Sequence, residues 1–217
     1  MSFSIHSVYR VAFRIWRKKR FASFVEAIPL SLTDQLLDVG GYPHFWTHHP
    51  RLVGKIDTLN VHEVEWNAAE APEHNISTLL GDGCCLAFAD GSYDIVFSNS
   101  VIEHVGPWEK QQAFAAEARR VGKSLWVQTP AFECPMEMHF LALGVHWLPM
   151  KMRKFTARWL TPWGWLERRD KSKADKFVEN IHLLSKKQMC LLFPDCEIRT
   201  EKVFGIIPKS YIAIRTP

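Results

Sequence analysis

The stretch QLLDVGGYPHFW, from Gln35 to Trp46, decides the fold. An apolar run that ends in Asp-x-Gly is typical of a buried strand leading into a ligand-binding turn. A turn that holds a dinucleotide pyrophosphate needs the spacing Gly-x-Gly-x-x-Gly, so that backbone amides can approach both phosphates. Counted from Gly40, the third and sixth positions are Tyr42 and Phe45. The stretch therefore predicts a tight turn for a nucleoside ligand that lacks phosphates.

The segments that follow predict an α/β fold. Apolar runs and a helical stretch alternate at the spacing of βαβ units, which indicates a parallel sheet. The predicted strands are Leu36–Val39, Lys55–Val61, Ile76–Asp82, Tyr93–Asn99 and Lys123–Thr129, with a helix over Trp108–Val121. We expect a Rossmann-like, mostly parallel seven-stranded sheet with helices on both faces.

The end of the chain predicts the last two strands. CEIRTEKVFG and SYIAIR, joined by IIPK, indicate an antiparallel hairpin at the edge of the sheet. A helix precedes them, with Ser185 as its N-cap and Pro194 beyond its end.

Polar residues or glycines follow each of the five predicted parallel strands. They are Asp38–Gly40, Asn60, Asp82–Gly83, Ser98–Ser100 and Thr129–Pro130. Ligands of open parallel sheets bind at the carboxyl ends of the strands, so this edge is the predicted site. S-adenosylmethionine, which has no phosphate, needs a tight turn beside its methionine part and polar partners for ribose and adenine. Asn60 is placed for the ribose, and Asp82 for the adenine amino group.

At these residues the chain resembles the class I S-adenosylmethionine-dependent methyltransferases of the small-molecule, type 11-like branch. The matching strings are LLDVGG, TLNV, GDGCCLAFADGSYDIVFSNSVIEHVG and VQTP, over roughly Gln35–Pro130. The resemblance implies S-adenosylmethionine as cofactor. It implies a cofactor site formed by Asp38, Gly40, Gly41, Asn60, Asp82, Gly83, Cys84, Ser98 and Asn99.

Two positions depart from the family pattern. Tyr42 brings a bulky ring near the reaction centre, where it becomes a candidate substrate contact. The ribose position holds Asn60 instead of an acidic residue. Because a carboxylate accepts more strongly from hydroxyls, we expect Asn60→Asp to bind the cofactor as well or better.

Two Glu/His pairs are the catalytic candidates. Glu103 and His104 follow the fourth strand, and Glu137 and His139 lie in an apolar segment after the fifth. A histidine there can act as general base with a glutamate as orienting partner. The alternatives are a core histidine bonded to the backbone and a glutamate that favours a helix N-terminus. The two-residue spacing of Glu137 and His139 does not suit a helix-borne metal pair, so no metal is expected.

The segment after the fifth strand predicts a cap. Residues 134–180 form a helical insertion over the active site, in which Trp147 is a candidate substrate contact and His146 a structural residue. The stripe Leu148, Met152, Phe155 and Trp159 alternates with Lys151, Arg153, Lys154 and Arg158. This composition suits an amphipathic or anionic acceptor, or an element lying on a membrane surface. The alternative is a solvated basic face over a buried, Trp-rich core.

The whole chain of 217 residues fits one methyltransferase domain, 1–217, that begins with an amphipathic helix within residues 1–30. No run of 18 apolar residues and no signal-peptide pattern is present. The five cysteines are an odd number without a CxxC pair, which favours reduced thiols and a cytoplasmic location, with peripheral membrane contact as an option. A sequence pI of about 8.8 is modest for a nucleic-acid partner. The oligomeric state stays open.

Two functions therefore remain. The first is methyl transfer from S-adenosylmethionine to a small-molecule or lipid-like acceptor. The second is a catalytically inactive binding protein that keeps the methyltransferase fold, which the Tyr42 and Asn60 departures motivate. A nicotinamide-dependent oxidoreductase is disfavoured by Tyr42 and Phe45.

Overall fold

The computed structural model describes residues 18–167 and 171–217. Within these residues, seven strands form the main sheet, and two short strands form a separate ribbon. The main strands are β1 (Gln35–Val39), β2 (Lys55–Asn60), β3 (Ile76–Leu80), β4 (Tyr93–Asn99), β5 (Gly122–Pro130), β8 (Glu197–Val203) and β9 (Ile207–Arg215). The ribbon consists of β6 (Met136–Glu137) and β7 (Ala142–Leu143).

Helices connect these strands. Residues 18–27 are helical (α1), while the rest of the predicted N-terminal helix lies outside the described residues. The others are α2 (Pro43–Trp46), α3 (Trp108–Val121), α4 (Met150–Trp159), α5 (Pro162–Glu167), α6 (Lys171–Glu179) and α7 (Lys186–Leu192). Short 3-10 helices span Ala68–Glu70, Ile102–His104 and Val145–Trp147. None of the described helices has the length and apolar content needed to cross a membrane.

The sheet order is β3-β2-β1-β4-β5-β9-β8. The first five strands pair in parallel, and β9 pairs antiparallel with both β5 and β8. The predicted seven-stranded, mostly parallel sheet is therefore confirmed. The hairpin turn is displaced from its predicted position, because β9 already begins at Ile207 and the turn falls at Phe204 to Ile206.

Apolar residues on both faces of the sheet explain why these elements assemble. On one face α3 buries Phe114, Ala115 and Ala118 at helical spacing against the sheet. On the other face the rings of Phe97 and Trp126 stack at 4.8 Å between centroids, and Phe24 of α1 packs on both. Ser185 caps α7 with a complete capping box to Gln188, as the sequence predicts.

The cap lies between β5 and α7 and contains β6, β7 and helices α4 to α6. It has a small core of its own, formed by Phe140, Val145, Ala157, Val178 and Ile181. The base of the cap is joined to the sheet, because Ala131 bridges Leu184 and the Phe132 N–H donates to the Leu184 carbonyl at 3.0 Å. The two ends of the cap therefore lie side by side.

Candidate active site

A cavity of about 430 Å³ opens at the carboxyl ends of β1, β2 and β4. The parallel register brings these ends together, as expected for an open α/β sheet. Its walls include the predicted residues Gly40, Asn60, Asp82, Gly83 and His104. They also include Val39, Leu59, Val61, Gly81, Ser100, Val101, Val105 and Phe114, which the sequence had not singled out as ligand contacts.

Two glycines in this wall are required by close packing. Gly40 has a positive φ of 80°, and an added Cβ there would lie 2.5 Å from Val101 Cγ2. A Cβ on Gly83 would lie 2.7 Å from Val39 Cγ1 and 3.0 Å from the Phe114 ring. The first glycine therefore makes the turn, and the second lets the loop after β3 approach β1 and α3.

Asn60 ends β2 and holds the glycine turn. Its Nδ2 donates to the Gly41 carbonyl at 2.7 Å, which orients the amide and leaves Oδ1 as its acceptor atom. The predicted ribose position is thus also a structural link between β2 and the turn after β1. An acidic residue could not make this bond.

Asp82 forms a turn of its own at the end of β3. Its Oδ1 accepts from the Cys84 N–H at 2.8 Å, and its Oδ2 lies 3.7 Å from Lys110 Nζ. The side chain remains half exposed at the cavity, so one carboxylate oxygen can still accept from a ligand. Cys84 lies behind this turn, with Sγ 3.4 Å from the Lys110 carbonyl, and burial raises the pKa of its thiol to about 11.

Asp38, the first predicted cofactor residue, lies beneath the turn and outside the cavity wall. Its Oδ2 accepts from Trp46 Nε1 at 2.8 Å, while its buried Oδ1 has no partner. Burial raises the pKa of this carboxyl to about 7, although the bond from Trp46 lowers it. A Cβ on Gly41 would overlap Asp38 Oδ2, so the two residues fix each other in place. Asp38 positions the loop from below.

Four further predicted residues also lie outside the cavity wall. Ser98 is fully buried and donates to the Val39 carbonyl at 2.9 Å, which joins β4 to β1. Asn99 accepts from Arg20 of α1 at 3.0 Å. The Tyr42 hydroxyl lies 3.2 Å from His62 Nε2 on an exposed surface, and Trp147 donates to the Phe132 carbonyl in the cap.

Ser100, not Ser98 or Asn99, reaches the cavity from β4. It has a positive φ of 58°, and its Oγ donates to Gln128 Oε1 at 3.0 Å. The polar run Ser98-Asn99-Ser100 was the available signal. Strand alternation alone does not reveal where the strand stops and the backbone turns.

The four predicted catalytic residues form one cluster beside the cavity. His139 Nε2 lies 3.2 Å from His104 Nε2, and His139 Nδ1 lies 2.8 Å from Glu137 Oε1. Glu103 is fully buried, accepts from Thr129 Oγ1 at 3.0 Å and has an oxygen 3.9 Å from His104 Nε2. His104 lines the cavity, and the other three lie behind it.

The electrostatics of this cluster are asymmetric. Burial, and to a smaller extent the neighbouring His139, lowers the pKa of His104 to about 4. Burial also lowers the pKa of His139, but the bond to Glu137 and the charges of Glu137 and Glu103 raise it above its usual value overall. Burial raises the pKa of Glu103. Any positive charge taken up by the two rings is therefore held at His139.

The same residues are candidate metal ligands. In the described part of the chain, Glu103, His104 and His139 are the one set whose ligand atoms all lie within 4.8 Å of one another. The expectation of no metal considered only the pair Glu137 and His139. It did not consider His104, which lies 35 residues earlier in the chain.

The exposed face of the cap carries the predicted apolar stripe. Met152, Phe155 and Trp159 of α4 are 54%, 60% and 46% exposed, whereas Ala157 on the opposite face is buried. Arg158 lies over the Trp159 ring at 5.3 Å. The alternative of a stripe buried against the sheet is therefore wrong for α4. His146 is buried, with Nε2 2.8 Å from the Phe132 oxygen, as the structural interpretation expected.

Comparisons with known proteins concern the domain and the fold. Residues 41–125 match a family described as methyltransferase domain. No curated protein matches the chain in sequence. Solved structures with the same fold include a SAM-dependent methyltransferase from Aquifex aeolicus, at 16% identity, a TM-score of 0.51 and coverage of 91% of this chain and 88% of that one.

Two further structures are similar. A SAM-dependent methyltransferase from Anabaena variabilis has 16% identity and a TM-score of 0.51, covering 83% of this chain and 76% of that one. A protein from Bordetella parapertussis, named as a possible exported protein, has 11% identity and a TM-score of 0.59, covering 94% of this chain and 68% of that one. At these identities the likeness concerns the fold alone.

The family match begins within the glycine turn and ends within β5, so it covers the carboxyl ends of β2, β3 and β4 at the cavity. Together with the sheet order, it confirms the predicted resemblance to the class I S-adenosylmethionine-dependent methyltransferases of the type 11 branch. The cofactor is S-adenosylmethionine.

Proposed function

We propose that this methyltransferase acts on a hydroxyl group of a small, amphipathic acceptor, which binds between the cavity and the cap. The observation that carries the proposal is the convergence of two carboxylates and two histidines at one wall of the cavity. An acceptor that needs no proton removal, such as an already ionised group, would not need such a cluster.

The cavity residues fit the cofactor. Leu59, Val101 and Phe114 provide apolar walls, while Asn60 and Asp82 provide acceptors at two strand ends. In this proposal Asn60 Oδ1 accepts from a ribose hydroxyl, and the outer oxygen of Asp82 accepts from the adenine amino group. Bound there, S-adenosylmethionine supplies a methyl group on a positively charged sulfur. The acceptor atom attacks the methyl carbon in line with the carbon–sulfur bond, and the sulfur leaves as part of S-adenosylhomocysteine.

The cluster handles the proton of the acceptor. His104 is the member that lines the cavity. His139 lies behind it, with its Nε2 3.2 Å from His104 Nε2. Glu137 holds His139 through both the ring Nδ1 at 2.8 Å and the backbone N–H at 3.1 Å. The hydroxyl proton passes to this cluster as the oxygen attacks, and the carboxylates balance the charge that results. Positioning of the two reactants supplies the rest of the rate enhancement.

The exposed face of the cap supports the amphipathic character of the acceptor. Phe155 and Trp159 project from the same face of α4, next to Lys151 and Arg158. Aromatic and basic side chains in this arrangement suit the interface of an anionic lipid surface. We expect the enzyme to collect its acceptor from such a surface.

Paired affinity and turnover measurements test the proposal. His104→Ala and His139→Ala should each lower methyl transfer to a hydroxyl acceptor by roughly 10²–10⁴, with unchanged affinity for S-adenosylmethionine by calorimetry. Asp82→Asn should instead weaken cofactor affinity by about 1–3 kcal/mol, since its second side-chain atom no longer accepts.

Asp90→Asn is the matched control for Asp82→Asn, because Asp90 pairs with Arg120 away from the cavity. Near-normal turnover in both histidine variants would contradict the hydroxyl acceptor. Unchanged cofactor affinity in Asp82→Asn would remove Asp82 from the site.

A further inference from the structure

We propose that Glu103, His104 and His139 bind one divalent transition-metal ion at the wall that faces the acceptor. The inference rests on the proposed function only for its catalytic use, because metal binding itself depends on these side chains alone. It changes the role of the two histidines from proton acceptors to ligands.

The spacing of the two rings is the first argument. His104 Nε2 and His139 Nε2 lie 3.2 Å apart. Two nitrogens bound at about 2.0–2.1 Å to one tetrahedral ion are about 3.3 Å apart. The two histidines therefore already have the separation of ligands that share a metal.

Glu103 provides the second argument. Glu103 is fully buried. Its Oε1 has no hydrogen-bond partner, whereas its Oε2 accepts from Thr129. A buried carboxylate oxygen without a partner is costly, and coordination of a cation relieves that cost. Oε1 lies 3.9 Å from His104 Nε2, so a small approach of the carboxylate completes a two-histidine, one-carboxylate set.

Glu137 is the positioning residue for this set. A metal-bound histidine usually donates its other ring nitrogen to a carboxylate, which fixes the ring and makes it a better ligand. Glu137 Oε1 lies 2.8 Å from His139 Nδ1 and accepts the His139 backbone N–H at 3.1 Å. His139 is therefore held with Nε2 directed at His104, as ligation requires.

The ligand set selects the class of ion. Two imidazoles and one carboxylate suit Zn²⁺ or Fe²⁺ better than Mg²⁺ or Ca²⁺, which prefer oxygen ligands. Three protein ligands leave a coordination position free, as in catalytic zinc sites. Because His104 lines the cavity, that position is accessible to the acceptor. A metal ion held by these three residues would lower the pKa of a hydroxyl group bound to it, which is the chemistry it would supply to the acceptor.

Titration of the chelator-treated, tag-free full chain with Co²⁺ tests the inference. We expect one equivalent to bind with the visible absorption of a low-symmetry nitrogen and oxygen site, and Zn²⁺ to displace it. His104→Ala and His139→Ala should each abolish this spectrum. Glu103→Gln and Glu137→Gln should weaken affinity by about 10–100-fold.

Two controls separate this site from surface binding. His48→Ala removes an exposed histidine that lies four residues after His44, and it should leave Co²⁺ binding unchanged. Cys85→Ser and Cys190→Ser remove exposed thiols, whose ligation would add intense near-ultraviolet bands. Circular dichroism checks that each variant is folded.

The outcomes are distinct. Loss of binding in the cluster variants, with the three controls normal, supports the inference. No bound Co²⁺, or binding that follows His48 or the cysteines, overturns it. Calorimetry with S-adenosylmethionine on the same metal-free protein tests the cofactor site separately, because the cofactor must bind there whether or not a metal does. Methyl transfer to a hydroxyl acceptor, measured with the metal-free protein, tests the proposed function.

Discussion

In the active site that we propose, the strand ends and the cap form two walls, but different contacts hold them. At the strand ends, Asn60 and Ser98 donate to backbone carbonyls of the neighbouring loop and strand, so the sheet itself places each group. In the cap, the decisive contact joins His139 to His104 of the other wall. Backbone register therefore fixes the first wall, whereas side-chain packing and charge fix the second.

The largest effect that we expect from this comparison is on cofactor affinity, when the amide of Asn60 at the first wall is replaced by a carboxylate. In Asn60→Asp a carboxylate oxygen would face the Gly41 carbonyl at 2.7 Å, where Nδ2 now donates. We expect cofactor affinity to fall by about 1–3 kcal/mol, because two acceptors are left opposed. Calorimetry with S-adenosylmethionine measures it.

This reverses the expectation drawn from sequence, in which the stronger acceptor would bind the ribose as well or better. Asn67→Asp is the matched control, because it is the same substitution made away from the cavity. Asn67 accepts from the Ala69 N–H, a bond that a carboxylate can keep. Affinity equal to or above wild type in Asn60→Asp would restore the sequence-based expectation.

The carboxyl beneath the turn predicts a pH effect on stability. Asp38 has a pKa of about 7 in the folded protein and an ordinary pKa of 3.8, so between these values the folded state holds a proton that the unfolded state has lost. Its contribution is fully present below pH 4 and is lost as the pH rises through 7. Between pH 5.5 and 8 the wild type should lose about 2 kcal/mol from this group.

Asp38→Asn keeps an acceptor for Trp46 Nε1 and cannot ionise. Its free energy of unfolding in urea should therefore change less between pH 5.5 and pH 8 than that of the wild type. Equal pH dependence in the two proteins would show that Asp38 titrates normally and that the turn does not depend on a neutral carboxyl.

The outer face of the cap gives the smallest expected effect. The protein should sediment with anionic vesicles at low salt, less so as salt rises, and little with neutral vesicles. Phe155→Ser and Trp159→Ser should each weaken this binding by about tenfold, because each removes an interfacial ring.

Phe204→Ser is the control, since Phe204 is highly exposed at the turn between β8 and β9, in a separate part of the molecule. If the wild-type protein does not sediment with anionic vesicles at low salt, the lipid-surface hypothesis is wrong. The acceptor should then be sought among soluble compounds. If Phe204→Ser weakens vesicle binding as much as the α4 variants do, exposed aromatic rings anywhere on the surface would explain the binding, and α4 would have no special role.

The same contrast explains what could be predicted from sequence. The strands, the Ser185 cap and the positions of Gly40, Asn60 and Asp82 follow from apolar runs and from the rule that parallel strands end at one edge. The burial of Asp38 depends on a bond to Trp46, whose orientation no local pattern gives.

The contact between the two predicted catalytic pairs could not be predicted from local patterns, for a related reason. Both Glu/His pairs are visible in the sequence, but nothing in their spacing brings His104 and His139 into contact across 35 residues. The metal expectation failed to consider this contact, because it used the spacing of one pair. Similarly, the α4 stripe was visible, but whether it faced the sheet or solvent depended on the packing of Ala157.

The closure at the base of the cap has a consequence for how such enzymes diversify. Because Ala131 and Phe132 join Leu184, everything between them is an insertion whose two ends already meet. Lengthening a loop of this kind is inexpensive, since each doubling adds only about 0.6 kcal/mol of closure entropy. A change in the length or sequence of residues 133–183 would therefore alter the side of the site that carries Glu137 and His139, while the strand-end residues at the cavity keep their positions.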